Sequence, residues 1–62
     1  MQLTVNGQDI NLSDRLTVSE LLTERKVKMP DMVSVELNGQ ILRRNKFKST
    51  FLQKGDKGFV SC

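Results

Sequence analysis

The chain has 62 residues, with ten Lys and Arg against seven Asp and Glu and a formal charge of +3. A chain this short buries only about 60% of the surface it exposes when unfolded, which leaves room for one domain over residues 1–62 and argues against a deep catalytic cleft. The positive excess favours acidic partners through long-range steering, but it is too small to imply nucleic acid by itself.

The opening Met-Gln-Leu-Thr-Val has no basic segment ahead of an apolar run, so no signal peptide is expected. No apolar stretch approaches the ~20 residues of a membrane helix, and no membrane role is expected. The single cysteine, Cys62, excludes an intramolecular disulfide and makes a reducing, cytoplasmic setting the default.

Residues 2–12 predict a hairpin. Leu3 and Val5 alternate with Gln2 and Thr4, then Asn6-Gly7 offers the positive φ at both centres that a two-residue type I′ turn needs. That turn sets Val5 opposite Gln8, Leu3 opposite Ile10 and Met1 opposite Leu12, so both apolar sets fall on one face. Ser13, Asp14 and Arg15 read as a loop.

Residues 16–26 hold the one good helix candidate. Thr17 and Glu20 have the spacing of a capping box, and Leu16 with Leu21 the spacing of a hydrophobic staple. Val18, Leu21, Leu22 and the aliphatic stem of Arg25 share one side at helical period. Arg25, Lys26 and Lys28 sit where the C-terminal dipole favours cations. Pro30 bars continuation, which limits the helix to about three turns.

Residues 33–42 predict a second hairpin. Val33, Val35 and Leu37 alternate with Ser34 and Glu36, Asn38-Gly39 makes the turn, and Leu42 joins the buried face opposite Val35. Ile41 is left outside beside Glu36. Residues 43–48 are polar and basic apart from Phe47. Thr50, Phe51 and Leu52 read as a brief strand or turn, Lys54, Gly55 and Asp56 as a turn, and residues 58–62 as a last strand. A lone helix between two strand groups implies an α+β sandwich of one sheet and one helix.

Little in the chain suggests catalysis. Histidine is absent and one cysteine cannot build a zinc site, which removes metal chemistry and Cys-His nucleophiles. No Gly-rich phosphate loop occurs, no cofactor is implied, and the carboxylates fall in separate elements without a pairing pattern. The basic residues Arg43, Arg44, Lys46 and Lys48, joined by Lys54 and Lys57, are more often a solvated face than a binding site. As a patch they would meet an acidic protein or RNA. The lack of Tyr and Trp weakens the stacking route to RNA, so nucleic acid is not the favoured partner. Phe59 has two registers open to it. If Val60 and Cys62 face the helix, it points out beside Ile41 as an exposed apolar spot; in the other register it is core. The outward one is favoured because Gly58 then turns inward with Val60.

Four pieces in this order resemble the ThiS family: Asn-Gly after the first strand, Thr-Val-Ser-Glu-Leu-Leu on the helix, Val35-Glu36-Leu37-Asn38-Gly39, and Leu52 three residues before Gly55-Asp56. The resemblance runs from Met1 to about Lys57. ThiS proteins are small sulfur carriers of thiamine biosynthesis, related to ubiquitin and to the small subunit of molybdopterin synthase. The resemblance implies a β-grasp fold, a mixed four- to five-stranded sheet packed on one helix with the first and last strands as parallel neighbours in the middle. It also implies a non-enzymatic role. An ATP-dependent activating enzyme adenylates the carboxylate at the end of a Gly-Gly tail, sulfur replaces one oxygen, and a thiazole-forming synthase receives it.

Here the pattern departs from the family. Val-Ser-Cys stands after Phe59, no Gly-Gly occurs, and Gly58 takes a place usually apolar in the family. The expected reading is a sulfur carrier for thiamine (thiazole) biosynthesis in a form lacking the terminal Gly-Gly. The alternatives are a ubiquitin-like interaction module that binds a protein or RNA through its basic face, and a carrier that uses another terminal group such as Cys62. Cys62 is more simply a small apolar residue closing the last strand or a frayed terminus. The candidate partner surface is Phe59, Ile41, Arg43 and Arg44, and the candidate tail is Ser61 and Cys62.

Overall fold

The computed structural model describes residues 1–61. Five strands form one sheet: β1 (Gln2–Val5), β2 (Gln8–Asn11), β3 (Ser34–Leu37), β4 (Gln40–Leu42) and β5 (Lys57–Ser61). Their order across the sheet is β2-β1-β5-β3-β4. The last strand therefore lies in the middle, parallel to β1 and antiparallel to β3.

Both hairpins take the registers that their Asn-Gly turns demand. Val5 faces Gln8 and Leu3 faces Ile10; Val35 faces Leu42 and Leu37 faces Gln40. The turn centres have φ of 52° at Asn6 and at Asn38, and 79° and 85° at Gly7 and Gly39. Met1 extends the first ladder, its carbonyl accepting from the Leu12 amide at 2.8 Å.

The single helix α1 (Val18–Glu24) covers the sheet. Leu21, Leu22 and Val18 enter a core with Leu3, Val5, Leu12, Val35, Phe47 and Leu52. The capping box is formed: the Glu20 amide donates to the Thr17 hydroxyl at 3.1 Å, and the Thr17 amide donates to the Glu20 carboxylate at 2.9 Å.

Some expectations need correcting. The helix spans two turns rather than the longer 16–26 stretch, because Lys26 goes left-handed at φ 59° and closes it. The Lys26 amide donates to the Thr23 carbonyl and the Val27 amide to the Leu22 carbonyl, which is the Schellman arrangement, usually made with glycine. Arg25 is exposed and adds nothing to the buried stripe. Residues 50–52 form no strand; Phe51 makes an isolated bridge with Thr17 and Leu52 is buried. Phe47, the lone large apolar residue of the basic segment, is 5% exposed, carried into the core by a 3₁₀ turn over Arg44–Lys46. Its carbonyl accepts from the Ser19 amide, which ties this segment to the first turn of the helix.

Candidate functional site

The sheet has its helix on one face, so the other face and the rims are what a partner can touch. Pairing across the three right-hand strands puts Ile41 and Phe59 both opposite Glu36, on adjacent strands of the same face. They form a row across β4, β3 and β5, with Ile41 71% and Phe59 43% exposed. Phe59 thus takes the outward register. Lys57, two residues earlier on β5, lies with its ammonium 5.8 Å from the Phe59 ring centre, a charged edge to the apolar row.

The Arg44 guanidinium donates to the Asp31 carbonyl at 2.8 Å, in the 3₁₀ turn Pro30–Met32. Arg43 and Arg44 line a shallow depression with Asn45. Of the four residues, the structure pairs Ile41 and Phe59 across Glu36 and ties Arg44 to Asp31.

The other candidate region is the end of β5. Pairing with β1 covers Thr4 with Lys57 and Val5 with Gly58. Beyond that point β1 has turned away into Asn6-Gly7, and the Asn6 side chain substitutes for it. Its Oδ1 accepts from the Val60 amide at 2.8 Å, and its Nδ2 donates to the Val60 carbonyl at 3.2 Å. On the opposite edge Asn38 does the same at the start of β5. Its Oδ1 accepts from the Lys57 amide at 2.9 Å, and its Nδ2 donates to the Asp56 carboxylate at 3.0 Å. That carboxylate in turn accepts from the Gln53 amide at 2.8 Å, which holds the turn ahead of the strand. Ser61 lies past these clamps and registers with Ser34 on β3. Cys62, the other candidate tail residue, lies outside the described residues.

Asn6 and Asn38 read as turn formers in the sequence, and their grip on β5 is not visible there. The only hint is that both turns begin with Asn, whose carboxamide can donate and accept at once, where Asp or Gly would also make the turn. Two further residues gave no signal: Met29 and Met32, 63% and 66% exposed beside the end of β5. Among the described residues no cluster of His, Cys, Asp and Glu could hold a metal, and no helix is long and apolar enough to cross a membrane.

A mixed sheet gripping one helix, with its first and last strands parallel at the centre, is the β-grasp architecture. Within it the chain belongs to the ThiS family, whose model matches residues 2–57. It is similar to the crystal structure of the thiamine biosynthesis protein ThiS from Geobacter metallireducens, with 40% identity, a TM-score of 0.87, and coverage of 97% of this chain and 90% of that one. A solution structure of a thiamine biosynthesis protein from the same organism gives 40% identity and a TM-score of 0.84, covering 98% of this chain and 81% of that one. No curated protein sequence matches. Proteins of the ThiS family are small sulfur carriers rather than enzymes, and they work with sulfur-activating and thiazole-synthase partners. The chain accordingly takes its place among carriers, not catalysts.

Proposed function

We infer that this chain carries sulfur for the thiazole moiety of thiamine. It docks on an ATP-dependent activating enzyme and offers the chain that leaves β5 for adenylation and sulfur transfer. A cytoplasmic setting goes with that role. The observation that carries the reading is the situation of Ser61, at the end of the central strand and beyond the last register with β1. A segment leaving the sheet there starts from a fixed point, held by β3 through the Ser34–Ser61 register. The outer row of Ile41 and Phe59 supplies an apolar contact near the same strand, with Arg43 and Arg44 as peripheral charges.

The chemistry constrains the segment that leaves β5. The terminal carboxylate attacks the α-phosphate of ATP and pyrophosphate leaves; a sulfur nucleophile then displaces AMP, leaving a thiocarboxylate. To reach that phosphate the chain must thread a confined channel, for which glycine, free of a side chain and permissive in φ, is suited. A polypeptide of these 62 residues, with Ser61 and Cys62 in that position, docks weakly and is not adenylated. The same polypeptide extended by a few residues ending in Gly-Gly is.

Each form is incubated with the activating enzyme, ATP and a sulfur donor, and its intact mass is read. A gain equal to exchange of oxygen for sulfur is expected on the extended form alone. The same gain on the unextended form, surviving Cys62→Ser, overturns the requirement for the tail. A gain of one whole sulfur atom that disappears in Cys62→Ser, formed when the thiolate takes sulfane sulfur from a persulfide donor and the donor's thiolate leaves, makes the terminal thiol the carrying group.

A further inference from the structure

Beside the end of β5 lies a groove of about 530 Å³ that the outer-face row does not account for. Its apolar lining comes from Val27, Val33 and Val60, which are partly buried against the core. Arg25, Lys26 and Lys28 add their cations, and among the described residues no acidic side chain lines it. A cationic cluster after a helix has an ordinary explanation in the negative end of the helix dipole, and that suffices for Arg25 at the C-cap. It does not explain the rest.

Met29 and Met32, each about two-thirds exposed, also line the groove. They sit on one small turn, closed by the Met32 amide donating to the Met29 carbonyl at 2.9 Å with Pro30 between them. Methionine side chains, unbranched and polarisable, adapt to varied apolar surfaces and serve as contact residues for that reason. Lys26 is the other oddity. At φ 59° a glycine would be less strained, yet the position holds a third cation for the groove. Val60 and Ser61 form one end of the groove, so a body that closes over the chain emerging from β5 must lie against it.

We propose that this groove is a second docking surface for the partner that takes up the end of β5, and that it receives an apolar projection of that partner flanked by carboxylates. The proposal rests on the carrier reading above and adds the chemistry of its partner's contact. Carboxylates answer Arg25, Lys26 and Lys28; the apolar projection covers Met29 and Met32. RNA would satisfy the cations only. Among the described residues no aromatic side chain lines the groove to stack a base, and the methionines would stay uncovered.

The methionines make the test direct. With methyl groups labelled by carbon-13, the Gly-Gly-extended polypeptide, which is also the parent of the variants below, is titrated with its activating enzyme and the methionine signals are followed. Met29 and Met32 are expected to shift or broaden while Met1 stays put. Met1 is an internal reference, because it precedes β1 and so lies at the opposite end of the parallel pair from Ser61. In calorimetry, the combined Arg25→Glu, Lys26→Glu and Lys28→Glu variant is expected to bind about ten-fold more weakly at low salt, with a shallower salt dependence. Met29→Gln with Met32→Gln, which leaves the charge alone, should weaken binding without changing the salt dependence. These residues are all exposed, and unchanged amide spectra for Val5 and Leu22 verify the fold of each variant.

Binding and sulfur loading in both variants at the level of the Gly-Gly-extended parent overturn the groove and leave the carrier reading standing. Failure of the extended parent to bind the enzyme overturns both. Tighter binding of a single-stranded RNA oligonucleotide than of the enzyme, abolished by the charge variant, overturns the assignment to a protein partner.

Discussion

Gly58 turns the backbone of β5 inward without a side chain, next to a void of about 20 Å³ that it shares with Val5, Val35 and Leu52. A β-carbon built there would meet the Glu36 carbonyl at 3.7 Å and Leu37 Cδ1 at 3.9 Å, ordinary contact distances, and the backbone is not left-handed. Gly58→Ala should therefore raise the unfolding free energy by about 0.4–1 kcal/mol, from a less floppy unfolded chain and a better-filled core. A higher urea midpoint at constant slope is the expected record. A lower midpoint would show that the space is not there. Asn6 presents the opposite case. Asn6→Gly keeps the left-handed φ but deletes both carboxamide bonds to Val60, and should cost about 1–2 kcal/mol. Faster amide exchange at Val60, with Leu3 unaffected, separates lost clamping from general unfolding.

The helix shows what local signals can and cannot convey. Its start was legible, because Thr17 and Glu20 bear the chemistry of the box that forms. Its end was not, because the residue that terminates it is a lysine, which ordinarily extends helices. Only the hydrogen bonds from the Lys26 and Val27 amides show the turn. Phe47 was opaque for a similar reason: one apolar residue in a basic segment has no period, and only the 3₁₀ turn aims it at the core. Lys26→Gly should stabilise the fold by about 1 kcal/mol by relieving the left-handed backbone, visible as a raised midpoint in thermal and urea unfolding. The same substitution removes a groove cation, so stability and partner affinity should move in opposite directions.

Across the whole molecule, alternation in the sequence told which face each residue takes, and both Asn-Gly turns told the register within each hairpin. Neither tells which hairpin edges meet. The central place of β5 came from resemblance to a family, and the outward register of Phe59 is set by that place through its pairing with Glu36. The groove had no legible sign, since its cations and methionines become neighbours of Val60 only after the chain has folded back. The parallel seam between β1 and β5 also has a mechanical meaning. A pull on the end of β5 against the start of β1 loads that seam in shear, so the bonds along it must yield together rather than one at a time. The seam is short, from the Thr4 amide on the Asp56 carbonyl to the Asn6 amide on the Gly58 carbonyl, and the Asn6 carboxamide is its last rivet. In single-molecule stretching between residues 1 and 61, Asn6→Gly should lower the rupture force, whereas Gln40→Ala, on the outlying β4, should leave it unchanged. An enzyme that draws on the chain beyond Ser61 would then tug against a strand locked by its neighbours, and could take up the slack without unravelling the carrier.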